Sequence, residues 1–587
     1  MVQFKRLLVA TPFISGVAAQ MNATGQGDKV WAVVAFINHG ETTPSLSDLR
    51  GVLTPEGAQQ MRRQGSAFRA RYLKDSVDSS DLGAIQISHL ENFDVDVINN
   101  DDLAIFSQAD EWVSAGAISF MQGLYPPLSD TFANDTGGDD LARDFSVGDN
   151  KTDYPLNGYQ YPSINTASIF DPISVALQGT ESCSAWLTET STNMTNIDEL
   201  QTSYKSSLPF YQELFSNPPL AGTIGLQIAD FWHADVIWDF VDYMYRHNET
   251  VYQGLQDEDR PLGPNETLSY LEAKAALLHR SMNSYLDRED DDEPLNVLYS
   301  IAGRTLAYGV TELLPSAKSW EGDHRKLTLM FGSLEPIVSF ISLSGLLTPQ
   351  SITQEPFSVP PKPGAALVFE LFGEDPDFPD RQPPYESLRV KMSYRASADE
   401  DAPFARQPLF DSGPDSVSYD KFMSTMQEMG RTPSEWCNVC GSRAPWCDLG
   451  IDLDDFPAGS SSLEPAIAGV IGAVATMAVL VLIFAGLFFI GGFRLARKTP
   501  QEQPQNNNAV GGFKGPERKE GDPDVTVTKA GIHHERVGSW ELRGGSSLPP
   551  TSSIVTKDFP ENRRSMDDDD DEISIMGATP VKERESV

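Results

Sequence analysis

The sequence predicts an α/β ectodomain: a sheet core with helices on both faces and an inserted helical cap, followed by one transmembrane helix and a disordered tail. Three observations predict it. The runs 30–37 and 326–331 are short, rich in β-formers and end in glycine-containing loops, the pattern of buried strands. Between them, residues 226–314 carry apolar positions at helical spacing. The stretch 466–493 contains no charged residue and is long enough to cross a bilayer with tilt.

In chain order, Lys5-Arg6, an apolar run to Val17 and then Ala18-Ala19 read as a signal peptide cleaved after about Ala19, residues 1–19. The sheet core occupies about 29–127 and resumes at about 325–449, with the cap at about 128–324. Within the cap, helical patterns run over 226–245, 268–286 and 295–314, and a charged acidic loop, 287–293, separates the last two. A juxtamembrane linker, 450–465, leads to the span 466–493. Arg494, Arg497 and Lys498 follow at once and mark that side as cytoplasmic. The tail, 494–587, has few apolar residues to bury and an acidic run at 567–572, so disorder is expected, with a cytoplasmic partner as its candidate role. Glycosylation triplets begin at Asn22, Asn134, Asn150, Asn193, Asn248 and Asn265, all before the span. Together these features predict a single-pass type I membrane protein of the secretory pathway, at the cell surface or in the vacuole.

The formal net charge of −40 over 587 residues argues against nucleic acid and anionic membrane surfaces as partners. It also disfavours tight capture of polyanions unless a local basic pocket compensates. The 4 cysteines are Cys183, Cys437, Cys440 and Cys447; in an oxidising compartment disulfides are expected over a zinc site, and the spacing leaves three pairings open. His233, His247, His279 and His324 lack the i, i+4 spacing of a helical metal pair, so no metal is expected and these are read as structural or solvated histidines. Nothing calls for a cofactor.

The first strand empties into Asn38-His39-Gly40-Glu41-Thr42-Thr43-Pro44. Open α/β sheets place ligands at the carboxyl ends of such strands. This heptapeptide resembles the Arg-His-Gly-x-Arg-x-Pro motif of histidine acid phosphatases, with Asn38 and Thr42 standing where the two arginines would be. Leu53-Thr54-Pro55-Glu56-Gly57, with Gln60, Gly65, Arg69 and Arg71-Tyr72, is similar to the family's next helix. Ser114-Ala115, the segment 122–127 and the helix-like segment 300–307 resemble later pieces in the family's order, so the resemblance runs from about Lys29 to about Leu449. It implies a phosphoglycerate-mutase-like sheet core.

The resemblance also implies chemistry: a histidine that attacks phosphorus, arginines that hold the phosphoryl oxygens, and an acid on a second strand end. His39 matches the nucleophile. After the second strand, Ser333 falls at the family's histidine position and Leu334 at its aspartate position. Glu335, one residue later, is similar to the acid of the inositol polyphosphate phosphatase branch and is the candidate proton donor. Asp110 or Glu111 stands near the third arginine position. No Lys or Arg occurs between Lys29 and Arg50, between Lys74 and Arg143, or between Lys326 and Lys362. Phosphoryl transfer depends on charge stabilisation of the equatorial oxygens, so these losses predict a pseudophosphatase unless a cation arrives from the middle of the chain. Similar proteins carry a local bridge near the carboxyl end, which implies Cys440–Cys447 or Cys437–Cys447, with Cys183 joining the third cysteine. Three functional expectations remain: a pseudoenzyme whose cleft takes a small anionic or protein ligand, an active phosphomonoesterase using His39 and Glu335, and a glycosylated structural surface protein.

Overall fold

Strand β1 (Asp28–Asn38) lies inside one mixed sheet of order β3-β2-β4-β1-β5-β6-β7. The structure is a computed structural model describing residues 28–73, 88–91, 93–127, 142–146, 148, 152–257, 260–284, 293–314, 325–374, 385–410, 416–447, 525–528 and 531–534. The other strands are β2 (Leu103–Gln108), β3 (Ile164–Ala167), β4 (Leu327–Gly332), β5 (Ala366–Glu374), β6 (Arg389–Arg395) and β7 (Ala405–Gln407), with β8 (Val417–Ser418) paired to β6. Strands β1 to β4 pair in parallel, and β5 turns the sheet antiparallel. Ala32, Val34 and Phe36 enter one apolar cluster while Val33, Ala35 and Ile37 enter the other. A strand apolar on both faces requires cover on both, hence its unbroken apolar run.

Helices α1 (Pro55–Phe68) and α2 (Glu111–Leu124) cover one face. The cap contributes α3 (Asp198–Ser216), α4 (Ala234–His247) and α5 (Pro264–Asn283). Helices α6 (Ile301–Leu313), α7 (Glu335–Leu343) and α8 (Tyr419–Met429) cover the opposite face, and α9 (Pro433–Cys440) closes the ectodomain. Helices α1 and α2 cross in backbone contact: a Cβ at Gly65 would lie 1.9 Å from the Phe120 carbonyl oxygen. That close approach, not conformational freedom, is what glycine supplies at this position.

The structure moves several expected boundaries. Strand β3 and α6 lie within the stretch 128–324 assigned to the cap, yet β3 extends the sheet and α6 packs on it. The cap's own core instead gathers residues from Met194 to Tyr299 around Phe231, Ile237, Phe240 and Leu271. The pattern at 295–314 is two helical pieces, Glu293–Tyr299 and Ile301–Leu313, separated at Ser300. Helix α3, with Pro209 inside it, was not anticipated.

Two disulfides form, Cys437–Cys447 and Cys183–Cys440. Of the two local bridges the resemblance allowed, Cys440–Cys447 is therefore excluded: Cys440 faces inward, beside Cys183, Trp436 and Trp446. The chain divides into two compact units, residues 1–475 and 476–587. In the second, Val525–Thr528 and Gly531–His534 form an antiparallel pair, a local exception to the expected disorder that follows from the β-branched run Val525-Thr526-Val527-Thr528. Among the described residues no helix is long and apolar enough to cross a membrane. The signal peptide, Asn22, Asn134, Asn150, the linker 450–465, the span 466–493 and the rest of the tail lie outside the described residues.

Candidate active site

Strands β1 and β4 run parallel with Ile37 opposite Phe331 and Asn38 opposite Gly332, so their carboxyl ends emerge side by side. The His39 amide donates to the Gly332 carbonyl at 3.0 Å, and the Gly364 amide donates to the His39 carbonyl at 3.0 Å. These bonds bring the His39 loop against the loop that carries Ser333 and Glu335. From below, the amino terminus of α1 presses on the same loop. Thr54 caps α1 through the Gly57 amide, and a Cβ at Gly57 would lie 2.1 Å from the Glu41 carbonyl oxygen. The Leu53-Thr54-Pro55-Glu56-Gly57 signal thus positions the His39 loop as well as starting a helix.

The His39 Nδ1 lies 2.7 Å from the Gly40 carbonyl oxygen. A neutral imidazole donating there leaves Nε2 with its lone pair free, the form a nucleophile needs. Burial holds His39 below the ordinary imidazole range, opposed by the Gly40 carbonyl, then Glu335, then Asp110. The charged groups acting on His39 are thus two carboxylates. Glu335 is the first residue of α7 and precedes Pro336; its Oε2 is buried with no hydrogen-bond partner among the described residues. Asp110 caps α2 by position but makes no side-chain cap bond; it accepts from the Gln108 amide instead. Ser333 donates to Gln108 Oε1 at 3.3 Å, linking the β2 and β4 ends. Burial, then Asp110, raises Glu181 above the usual carboxylate range, so a further acidic group borders the site.

The positions that the resemblance pairs with the family's phosphate-binding residues have other partners or places here. Asn38 is buried and its amide donates to the carbonyls of Pro361 and Lys362 at 3.4 and 3.1 Å. Thr42 forms an antiparallel bridge with Leu53. Glu111 forms an ion pair with Arg50 at the surface. Leu334, half-buried, precedes α7. The structure therefore gathers His39, Asp110, Ser333 and Glu335, whereas Asn38 and Thr42 serve the loop's own architecture.

One cation does arrive from the middle of the chain. Arg246, on the last turn of α4, pairs with Glu41 and with Asp242. His247, read as a structural or solvated histidine, lies at the surface and also reaches Glu41, with Nε2 2.8 Å from its carboxylate. Glu41 itself is buried, takes a 2.7 Å hydrogen bond from Thr54 and donates its amide to Gln60. The sequence carried a partial signal, the i, i+4 pairing of Asp242 with Arg246, but none for the long-range partner Glu41. His233 Nδ1 donates to the Asp230 carboxylate, 2.9 Å away. Asn193 and Asn265 are exposed and Asn248 half-buried.

A family model described as "Histidine phosphatase superfamily (branch 2)" matches residues 39–393. No curated protein sequence matches the chain. Among solved structures, Hafnia alvei phytase in complex with tartrate is 13% identical, with 70% of this chain and 98% of that one covered and a TM-score of 0.40. The phytase from D. castellii is 16% identical, covering 73% of this chain and 87% of that one, with a TM-score of 0.40. The Bifidobacterium longum multiple inositol polyphosphate phosphatase in complex with inositol hexasulfate is 12% identical, covering 70% and 94%, with a TM-score of 0.39.

Proposed function

The chain belongs to branch 2 of the histidine phosphatase superfamily, and we propose that it is a membrane-anchored pseudophosphatase whose cleft has a binding or signalling role. One observation carries this reading: no Lys or Arg occurs within residues 30–49, 75–142 or 327–361, which hold the strand ends around His39, while the carboxylates of Glu335 and Asp110 lie near its ring. Removing a single stabilising donor costs roughly 10²–10³ in rate, and losses within one cooperative site do not simply multiply. Replacing donors by carboxylates adds repulsion to that loss. Arg246 does not restore the clamp, because Glu41 and Asp242 hold it.

A second reading, an active phosphomonoesterase, is favoured by the free Nε2 of a neutral His39 and by the unpartnered Oε2 of Glu335 as proton donor. One assay separates them. The purified protein should hydrolyse p-nitrophenyl phosphate at least roughly 10³-fold more slowly than an active relative at acid pH. Turnover at the relative's rate, abolished by His39→Ala in a protein that still folds, overturns the pseudophosphatase.

Anchoring rests on the uncharged span 466–493 and the positive residues that follow it. Glycosidase treatment of the full-length protein should increase its gel mobility, and protease added to intact vesicles should remove only the tail. A protected tail with a digested ectodomain would reverse the orientation. The type I topology and a place at the cell surface or in the vacuole follow from the same signals. A small anionic or protein ligand for the cleft, and a cytoplasmic partner for the tail, complete the proposal.

A further inference from the structure

The side chains at the strand ends around His39 have spent their donors and kept their acceptors. Asn38 gives its amide to the carbonyls of Pro361 and Lys362. His39 gives Nδ1–H to the Gly40 carbonyl, which leaves Nε2 as an acceptor. Ser333 gives its hydroxyl to Gln108 Oε1, and Gln108 gives its amide to Asp110. The oxygens are not used to match. Asn38 is 4% exposed, yet its Oδ1 is buried with no hydrogen-bond partner among the described residues. Glu335 Oε2 and Gln178 Oε1 are buried without a partner in the same way.

These atoms belong to one place in the fold. Asn38 shares its face of β1 with Phe36, whose cluster includes Ile337 and Phe340 of α7, the helix that Glu335 begins. It also stands opposite Gly332, where a Cβ would lie 2.6 Å from the Leu177 carbonyl oxygen. Gln178 therefore follows a residue packed on the end of β4, and Glu181 comes close enough to Asp110 to be acted on by it. The surrounding chain returns no cation. Residues 30–49, 75–142 and 327–361 contain no Lys or Arg, and neither does 178–181. Arg246 is held by Glu41 and Asp242, and Lys362 acts on Asp242 and Glu272 of the cap.

We propose that the cleft beside His39 takes a basic side chain, the ammonium of a lysine or the guanidinium of an arginine, presented by a protein ligand. The physical reason is the surplus of acceptors. A buried acceptor without a donor forfeits its desolvation cost, and a carboxylate forfeits more than an amide. An ammonium or guanidinium carries donors only, together with a positive charge, so it satisfies several of these oxygens at once. An anion would bring further acceptors to a site whose donors are already taken.

This inference rests on the pseudophosphatase reading and deepens it: of the two ligand classes offered for the cleft, it selects the protein and names the group. Glu335 supplies the counter-charge, Asn38 Oδ1 and the His39 Nε2 lone pair accept N–H bonds, and Asp110 and Glu181 add charge at the edge. No covalent bond forms or breaks. A chain with a formal net charge of −40 also draws a basic partner toward it before contact.

Calorimetric titration of the full-length protein with butylamine and butylguanidine, near neutral pH and at physiological salt, tests this. Butanol and inorganic phosphate serve as the neutral and anionic probes. At least one of the two cations should bind with a Kd of about 1 mM or tighter, and at least roughly tenfold more tightly than either control. Glu335→Gln, which keeps the shape and removes the charge, should weaken that binding at least roughly tenfold, and Asp110→Asn by a smaller factor. Glu213→Gln, an exposed carboxylate on α3, should leave it unchanged. Denaturant midpoints establish that each variant folds; should Glu335→Gln not fold, the loss in Asp110→Asn decides. Absence of binding by both cations overturns the proposal. So does tighter binding of phosphate, or cation binding that survives both site variants. Turnover of p-nitrophenyl phosphate, measured on the same sample, keeps the two readings apart. Without turnover, a failed titration removes the basic ligand and leaves the pseudophosphatase; turnover abolished by His39→Ala removes both.

Discussion

Replacing Glu370 by Gln should destabilise the ectodomain by about 3–5 kcal/mol, the typical cost of removing one partner from a buried ion pair. Glu370 stands in the middle of β5 and is fully buried. Its Oε1 accepts from Arg71 Nε at 2.9 Å, from an Arg71 terminal nitrogen at 2.7 Å and from the Tyr72 hydroxyl at 2.6 Å. Lys391, opposite it on β6, lies 2.8 Å from Oε2. Arg71 and Tyr72 reach this point because α1 ends in a wider π-turn, Arg69–Leu73, every residue of which is buried. With glutamine there, a guanidinium and an ammonium would remain in the core without a counter-charge. Burial alone would raise the Glu370 pKa; Arg71, then Lys391, override it and hold the carboxyl down at about 2.

A depressed carboxylate contributes stability that is present above its unfolded pKa, near 4.3, and lost as pH falls through its folded value. The wild type should therefore lose about 3 kcal/mol between roughly pH 4.5 and pH 2 on account of this group. The variant should lack that component of its acid profile. Denaturant unfolding across pH measures both quantities. A Glu370→Gln cost below about 1 kcal/mol, the range of exposed pairs, would mean that the cations find water or other partners. Replacing Glu370, Arg71 and Lys391 together by apolar residues of similar volume should cost less than Glu370→Gln alone, because no charge is left behind.

The two disulfides should differ sharply in their contribution. Cys183–Cys440 closes a separation of 257 residues and Cys437–Cys447 one of 10. Chain-entropy arithmetic gives roughly 5 kcal/mol for the longer loop against roughly 3 kcal/mol for the shorter. The longer bridge also ties the segment leading into the cap to α9, where Cys183 and Cys440 are buried with Trp436 and Trp446. Paired Cys→Ser variants, compared by denaturant midpoint, should place the 183/440 pair well below the 437/447 pair. Equal losses would show that local strain or residual denatured-state structure, not loop closure, governs the contribution.

The sequence by itself determined the elements whose signals are local. The apolar run 30–37 could be buried only as a strand covered on both faces, and β1 is that strand. The segment Leu53-Thr54-Pro55-Glu56-Gly57 placed α1 through its resemblance to the family's helix, and the spacing within 226–245 announced α4. The absence of Lys and Arg from three windows is likewise a property of the chain that no fold can reverse. Tertiary structure alone decided what depends on distant partners. It assigned β3 to the sheet edge, because Ile164–Ala167 is too short to announce itself and gains its hydrogen bonds from β2. It chose Cys437–Cys447 over Cys440–Cys447, because Cys440 turns inward to Cys183. It brought Arg246 and His247 onto Glu41, more than two hundred positions away in sequence, and turned Asn38 toward carbonyls of the β5 loop. Periodicity and capping report each residue's near neighbours; a charge's partner is set by which surfaces the packed core brings together, and that information belongs to the whole chain at once.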